Sequence, residues 1–374
     1  TFATLFGAPI SNIIAASESV APYYYHKAKK GATSTVVSVD IGGGTTDVLI
    51  VDKGEPKYLT SFRFAANTIF GDGYSYDSDS NGFVNKYKDI ITNQLETNNL
   101  RGLKAVLKSV LDKRVSTDVI AFLFSLASNK EIKKEKVEIN FAKMLADDNR
   151  GKYVVILFYV AIVYHIAKLM KAKGFDMPRH MTFSGNGSKV LNILSTNDAT
   201  LVRLTKIIFE EIYAQSYSID GLDIIRPANS KESTCKGGII LTPFQSQDYG
   251  EIKDMKTILI GTDNEKFADV HMTYNDVTEA DLDSVVDVIK EYIEFTFKLD
   301  KKFSFYDNFD VDRSIMNKVK DLCYRDIRTY LENGLAIKKS EIAQDGADDN
   351  LEETLFFYPL VGIINAVVRN IYQM

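Results

Sequence analysis

Residues 35–39 form a β-branched apolar run that ends on Asp40 and three glycines, and the β pattern resumes at Val48-Leu49-Ile50-Val51 before Asp52-Lys53-Gly54-Glu55 supplies turn residues. This spacing predicts a hairpin with a glycine-rich tip. Residues 60–66 (TSFRFAA) alternate like a third strand. Upstream, residues 10–16 are apolar and β-compatible and run into Ser17-Glu18-Ser19, a helix entry with an acid in its first turn. From about Asp77 to Arg150 the pattern becomes helical and highly charged, with Leu103, Val106, Leu107, Val110 and Leu111 at helical spacing, and this stretch has the character of an insertion. A long apolar helix over 153–173 follows, then a short strand at 180–184, the turn Gly185-Asn186-Gly187, and a helix within 189–215.

Beyond Pro243 the composition shifts to acids and aromatics. Thr278-Glu279-Ala280-Asp281 resembles a capping box for a helix whose apolar face is Leu282, Val285, Val286, Ile289 and Ile293. The last apolar segment, 355–371, is expected to fold back on that 279–299 helix. The chain is therefore expected to be α/β. Residues 1–66 and 150–245 would build one lobe, 67–149 an inserted subdomain, and 246–374 a separate, mainly helical module.

Two apolar runs invite a membrane reading. Residues 153–170 contain His165 and Lys168, and 355–371 contain Pro359, Gly362, Asn365 and Arg369. Both are expected to be core helices, with no membrane partner. A net charge of −5 provides no overall basic field for nucleic acid. Two cysteines, Cys235 and Cys323, rule out a disulfide framework and suggest a reducing, cytoplasmic setting. His26, His165, His180 and His271 lie far apart and show no metal-ligand spacing.

The chemistry concentrates in Asp40-Ile41-Gly42-Gly43-Gly44-Thr45-Thr46-Asp47. Consecutive glycines let backbone N–H groups converge on phosphate oxygens. An acid on each side would repel that phosphate unless a divalent cation or an attacking water lay between them; Mg²⁺, which keeps several waters, suits such carboxylates. Asp47 or Asp40 could instead orient the water for in-line attack. The plain alternative is a hairpin turn with solvated acids.

The stretch VVSVDIGGGTTDVLIVD looks like the second phosphate motif of the superfamily that holds actin, the sugar kinases and the seventy-kilodalton heat-shock chaperones. Residues 13–21 (IIAASESVA) resemble the first connecting segment of the chaperones, and Phe70-Gly71-Asp72-Gly73-Tyr74 the glycine turn that follows the phosphate motif. Phe183-Ser184-Gly185-Asn186-Gly187-Ser188 resembles the adenosine motif, and residues 229–238 (NSKESTCKGG) the second connecting segment. These segments fall in family order across residues 10–242.

The resemblance implies a ribonuclease-H-like lobe that binds ATP or ADP with Mg²⁺. It carries Asp40 and Asp47 to the magnesium and water side, Gly42, Gly43, Gly44 and Thr45 to the phosphate cradle, Glu18 to water positioning, and Gly185, Gly187 and Ser188 to the adenosine. Asn186 stands where the chaperones have a second glycine. No first phosphate motif precedes Glu18, so the chain is expected to be the second lobe plus a C-terminal extension, inactive alone and partnered by an opposite lobe of the same protein. A chaperone-like ATPase with a protein client or co-chaperone is the leading expectation. An actin-like filament or segregation ATPase and a small-molecule kinase are the alternatives.

Overall fold

The computed structural model describes residues 21, 23–25, 34–74, 81–218, 221–227, 230–240, 257–269, 271–345 and 349–374. The chain is α/β, built on a mixed five-stranded sheet of order β3-β2-β1-β4-β5. Its strands are β1 (Val36–Ile41), β2 (Thr46–Asp52), β3 (Glu55–Phe62), β4 (His180–Ser184) and β5 (Asp223–Ile225). The pairs β1/β2 and β2/β3 are antiparallel, whereas β1/β4 and β4/β5 are parallel. The third strand begins five residues before the alternation at 60–66 and ends at Phe62. Lys53 (φ 51°) and Gly54 (φ 83°) are both left-handed, which closes a two-residue turn whose twist matches its strands and pairs Asp52 directly with Glu55.

The period of two separates the faces of the sheet. Val37, Val39, Ile41, Val48 and Ile50 enter the main core, while Val36, Leu49 and Val51 pack with Tyr23 and Tyr24 on the opposite face. The helices named below are α1 (Ala66–Phe70), α2 (Gly82–Thr97), α3 (Arg101–Asp112), α4 (Ser116–Ser125), α5 (Lys152–Ala172), α6 (Asp198–Tyr213), α7 (Ser230–Ile240), α8 (Glu279–Phe303), α9 (Ile327–Asp345) and α10 (Phe357–Asn370). Among the described residues α5 alone is long and apolar enough to cross a membrane, and 94% of its apolar window is buried inside the protein. It packs on the sheet through Tyr159 against Phe183 and His165 against Phe62. It is the core helix that its interior His165 and Lys168 predict.

The described residues of the C-terminal segment, from 257 onward, share this core. Tyr292 of α8 donates its hydroxyl to the Leu157 carbonyl of α5 at 2.6 Å, and Phe357 stacks on Phe62 and Phe64 with ring centroids 4.1 and 4.6 Å apart. The expected capping box is present at Thr278 and Asp281. The final helix, expected on 279–299, instead packs chiefly on α9, with further contacts to α1, α2 and α5. The physical reason is that the apolar face of α8 is already occupied by α5, α6 and α9. Close approach fixes this arrangement: a Cβ on Gly82 would overlap the Val368 carbonyl, and one on Gly362 would overlap the Tyr330 ring.

Near the last residues of the chain in space, Asp148 is 5% exposed, forms an ion pair with Lys86 at 2.9 Å and accepts hydrogen bonds from Tyr87, Tyr372 and the Gly151 N–H. Burial opposes its ionisation, but Tyr372, Lys86 and Gly151 outweigh that cost and hold its carboxyl below the usual range.

Candidate functional site

The hairpin tip is a tight turn in which the Gly42 N–H donates to the Thr45 carbonyl at 2.9 Å. Its far side is tied to the start of α1, because the Gly42 and Gly43 carbonyls accept from the Ala66 and Asn67 N–H groups. Thr46, fully buried, donates its hydroxyl to the Phe64 carbonyl at 2.6 Å. Gly43, Gly44 and Thr45 are exposed.

None of the three glycines adopts a left-handed φ. A Cβ on Gly44 would meet open space, and one on Gly43 would meet only the Asn67 side chain at 3.6 Å. Neither the backbone conformation nor the surrounding protein accounts for glycine at these two positions. The opposite holds at Gly185 and Gly187. Gly185 has φ +81°, and a Cβ there would overlap the Ile41 carbonyl and Asp40 Oδ1; a Cβ on Gly187 would overlap the Gly42 carbonyl. The parallel pairing of Asp40 with Ser184 drives the two glycine turns together.

Asp40 and Asp47 are directly opposed in the β1/β2 ladder, so both project from one face of the hairpin. Both are half-buried, and Ser184 donates its hydroxyl to Asp40 Oδ2 at 3.1 Å. Like charges on opposed residues destabilise a sheet, a cost that a cation between them would offset. The pair fits Mg²⁺, which binds through one or two carboxylates and keeps the rest of its shell as water. Among the described residues no group of three or more His, Cys, Asp or Glu side chains is gathered for a metal.

A cleft of about 550 Å³ runs from Gly42 and Gly43 to Asn186, Gly187 and Lys189. One wall is apolar and comes from the inserted region, with Phe70, Ile120, Ala121 and Phe124; Val190 and Ile193 continue it. Phe124 is 36% exposed and Asn186 is exposed. Sequence analysis singled out Phe70 only as part of a glycine turn, and it did not single out Ile120, Ala121, Phe124, Val190 or Ile193. Phe124 and Ile120 lie on α4, more than seventy residues from the glycine turn in the chain, and only the packing of α4 on α1 brings them to it.

The sequence-predicted residues therefore divide. The structure brings Asp40, Gly42, Gly43, Gly44, Gly185 and Gly187 together where the two turns meet, with Gly42, Gly43 and Gly187 lining this cleft and Thr45 and Asp47 lining a separate one. Ser188 adjoins them but is buried, and its hydroxyl donates to the Gly185 carbonyl at 2.8 Å, where it holds the turn. Glu18 lies outside the described residues. In the segment expected to be the second connector, α7 crosses the short helix at Tyr23–Tyr25 so closely that a Cβ on Gly237 would overlap the Ala21 carbonyl.

Gly187→Ala is expected to destabilise the fold by about 1–3 kcal/mol, because the obstructing atoms are backbone and cannot rotate away. Urea unfolding of the variant against the wild type measures this, and an unchanged midpoint would contradict the close approach. Neither a scan against protein-family models nor a search of curated proteins finds a match to this chain.

Proposed function

We propose that the cleft binds ATP or ADP with Mg²⁺ and that the chain is the nucleotide-binding lobe of an ATPase of the actin and heat-shock chaperone type. The observation that carries this reading is the meeting of two glycine turns at one cleft. One turn is glycine for reasons of packing, while the other has no packing reason at Gly43 and Gly44. Open backbone beside an apolar wall suits a ligand with an anionic tail and a planar apolar body. On this reading the phosphates lie on Gly43, Gly44 and Thr45, and the base lies between Asn186–Gly187 and the wall of Ile120 and Phe124.

Asp40 and Asp47 would hold the Mg²⁺ directly or through its waters. When bound, that ion would neutralise the phosphate charge that develops in transfer. Asp47 would also orient the attacking water, a task of positioning rather than covalent chemistry. The mixed five-stranded sheet is compatible with a ribonuclease-H-like lobe. An opposite lobe would supply the first phosphate motif, and nucleotide-driven movement of the lobes would act on a protein client or co-chaperone in the cytoplasm.

Two variants test the reading together. Gly44→Ala should leave unfolding within about 0.5 kcal/mol of wild type, since its Cβ meets open space, yet weaken Mg²⁺-dependent nucleotide binding. Asp47→Asn in the full-length protein should lower ATP turnover by ~10²-fold or more without loss of fold. Unchanged binding in the first and unchanged turnover in the second would return the segment to an ordinary hairpin with solvated acids.

A further inference from the structure

A buried carboxylate from the C-terminal segment is bound to Arg63, just past the end of the strand that pairs with Asp47. Glu353, 4% exposed, accepts the Arg63 backbone N–H on Oε2 at 2.7 Å, and its Oε1 lies 3.5 Å from Arg63 Nε. The Tyr358 hydroxyl donates to Glu353 Oε1 at 3.1 Å and lies 3.3 Å from the Tyr274 hydroxyl. Arg63 also pairs with Glu341. β3 lies at the edge of the sheet, and among the described residues β2 is its only neighbouring strand. Within that pairing Asp47 opposes Ser61 and Thr46 opposes Phe62, while the Thr46 hydroxyl binds the Phe64 carbonyl. Residues 61–64 thus support Thr46 and Asp47 on one side and are gripped by Glu353 on the other. Asp47, Thr45, Ser61, Arg63 and Glu353 line a second cleft of about 550 Å³, separate from the one at Gly42, Gly43 and Gly187.

Stability alone does not account for this ion pair. The Arg63 side chain is 45% exposed, where an ion pair contributes little to stability, and the stacking of Phe357 on Phe62 and Phe64 already binds the same segment. What a charged, directional contact adds is a fixed position.

We propose that Glu353 and Arg63 are a positioning pair: the C-terminal segment sets the placement of residues 61–64, and through them the orientation of Asp47 and the glycine turn. The proposal rests on the nucleotide reading above. Residues that place a reacting group need to be held within fractions of an ångström, and an edge strand paired on one side only is a weak support for that task.

The test uses amide hydrogen exchange on the nucleotide-free protein together with titration of a fluorescent ADP analogue with and without Mg²⁺. In Glu353→Ala, exchange at residues 45–48 and 61–64 should rise at least ~5-fold while α5 keeps wild-type protection, and Mg²⁺-dependent binding should weaken by a similar factor. Glu353→Gln, which keeps an oxygen for the Arg63 N–H, should recover much of the protection. If Glu353→Ala fails to fold, Tyr358→Phe, which removes one hydroxyl from Glu353, should show the same regional pattern at smaller amplitude. Wild-type exchange at 45–48 in a folded Glu353 or Tyr358 variant overturns the positioning role. Wild-type protein that binds no nucleotide overturns the reading beneath it, an outcome the titration records separately.

Discussion

Removal of residues 351–374 is expected to unfold the whole chain, sheet included, rather than to release a C-terminal module. Leu355, Phe356, Phe357, Leu360, Ile363, Ile364, Val367 and Val368 are each at most 1% exposed. Their neighbours belong to the sheet lobe as much as to the extension. Phe356 stacks on His165 of α5, Phe357 on Phe62 and Phe64, and α10 lies against α1, α2 and α5. Burial of a large apolar side chain contributes ~1.5–3 kcal/mol, so eight of them rival or exceed the ~5–15 kcal/mol net stability of a typical domain. The deletion also removes Glu353 from Arg63 and Tyr372 from Asp148, which leaves buried charge with fewer partners. Far-ultraviolet circular dichroism and thermal unfolding of the truncated chain decide the matter. A soluble product with a cooperative transition near that of the wild type would mean that the lobe is complete without the segment.

Acid is expected to weaken the fold well before its carboxylates titrate. His165 is 3% exposed and lies among Phe62, Phe356 and Phe357, with ring centroids 5.6, 5.5 and 5.0 Å away. Burial pushes its pKa down from 6.5 to about 3. The unfolded chain takes up a proton on this residue near pH 6.5, while the folded chain does not do so until about pH 3. Stability from the neutral ring is thus whole above pH 6.5 and is lost at ~1.4 kcal/mol per unit as pH falls, or ~3 kcal/mol near pH 4.5. Asp148 has the same sign, but its window lies at and below 3.8. Glu353 has the opposite sign, because burial raises its carboxyl above the usual range despite its bonds from Arg63 and Tyr358. A comparison of wild type with His165→Leu cancels these carboxylates. The urea midpoint should fall further between pH 7.5 and 4.5 in the wild type than in the variant. Equal losses in both proteins would mean that His165 is not the group responsible.

Local pattern decided the elements around the site because short-range physics decides them. The β-branched runs and the glycines between them specify a hairpin whatever surrounds it, and Asp40 and Asp47 flank its tip by chain connectivity alone. The apolar circumference of α5 required burial, and the Thr278–Asp281 pattern sufficed to start α8. Glycine patterning pointed to Gly185 and Gly187 without showing their reason. That reason is their approach to the Ile41 and Gly42 carbonyls, which exists only once β4 lies parallel to β1.

The remainder was settled between segments distant in the chain. β5 has three residues, too few for a periodic signal, and it exists as a strand through its pairing with β4. The apolar wall at Phe124, the Glu353 grip on Arg63 and the place of α10 across α5 join residues from tens to about three hundred positions apart. Hydrophobic periodicity tells a helix which stripe to bury but not against what, since burial is non-directional and any apolar face satisfies it. For α10 the tertiary structure made the choice. Stacking of Phe357 on Phe62 and Phe64 and close approach at Gly82 and Gly362 favour one seat over the others that the sequence alone permits, because packing at this density tolerates few alternatives.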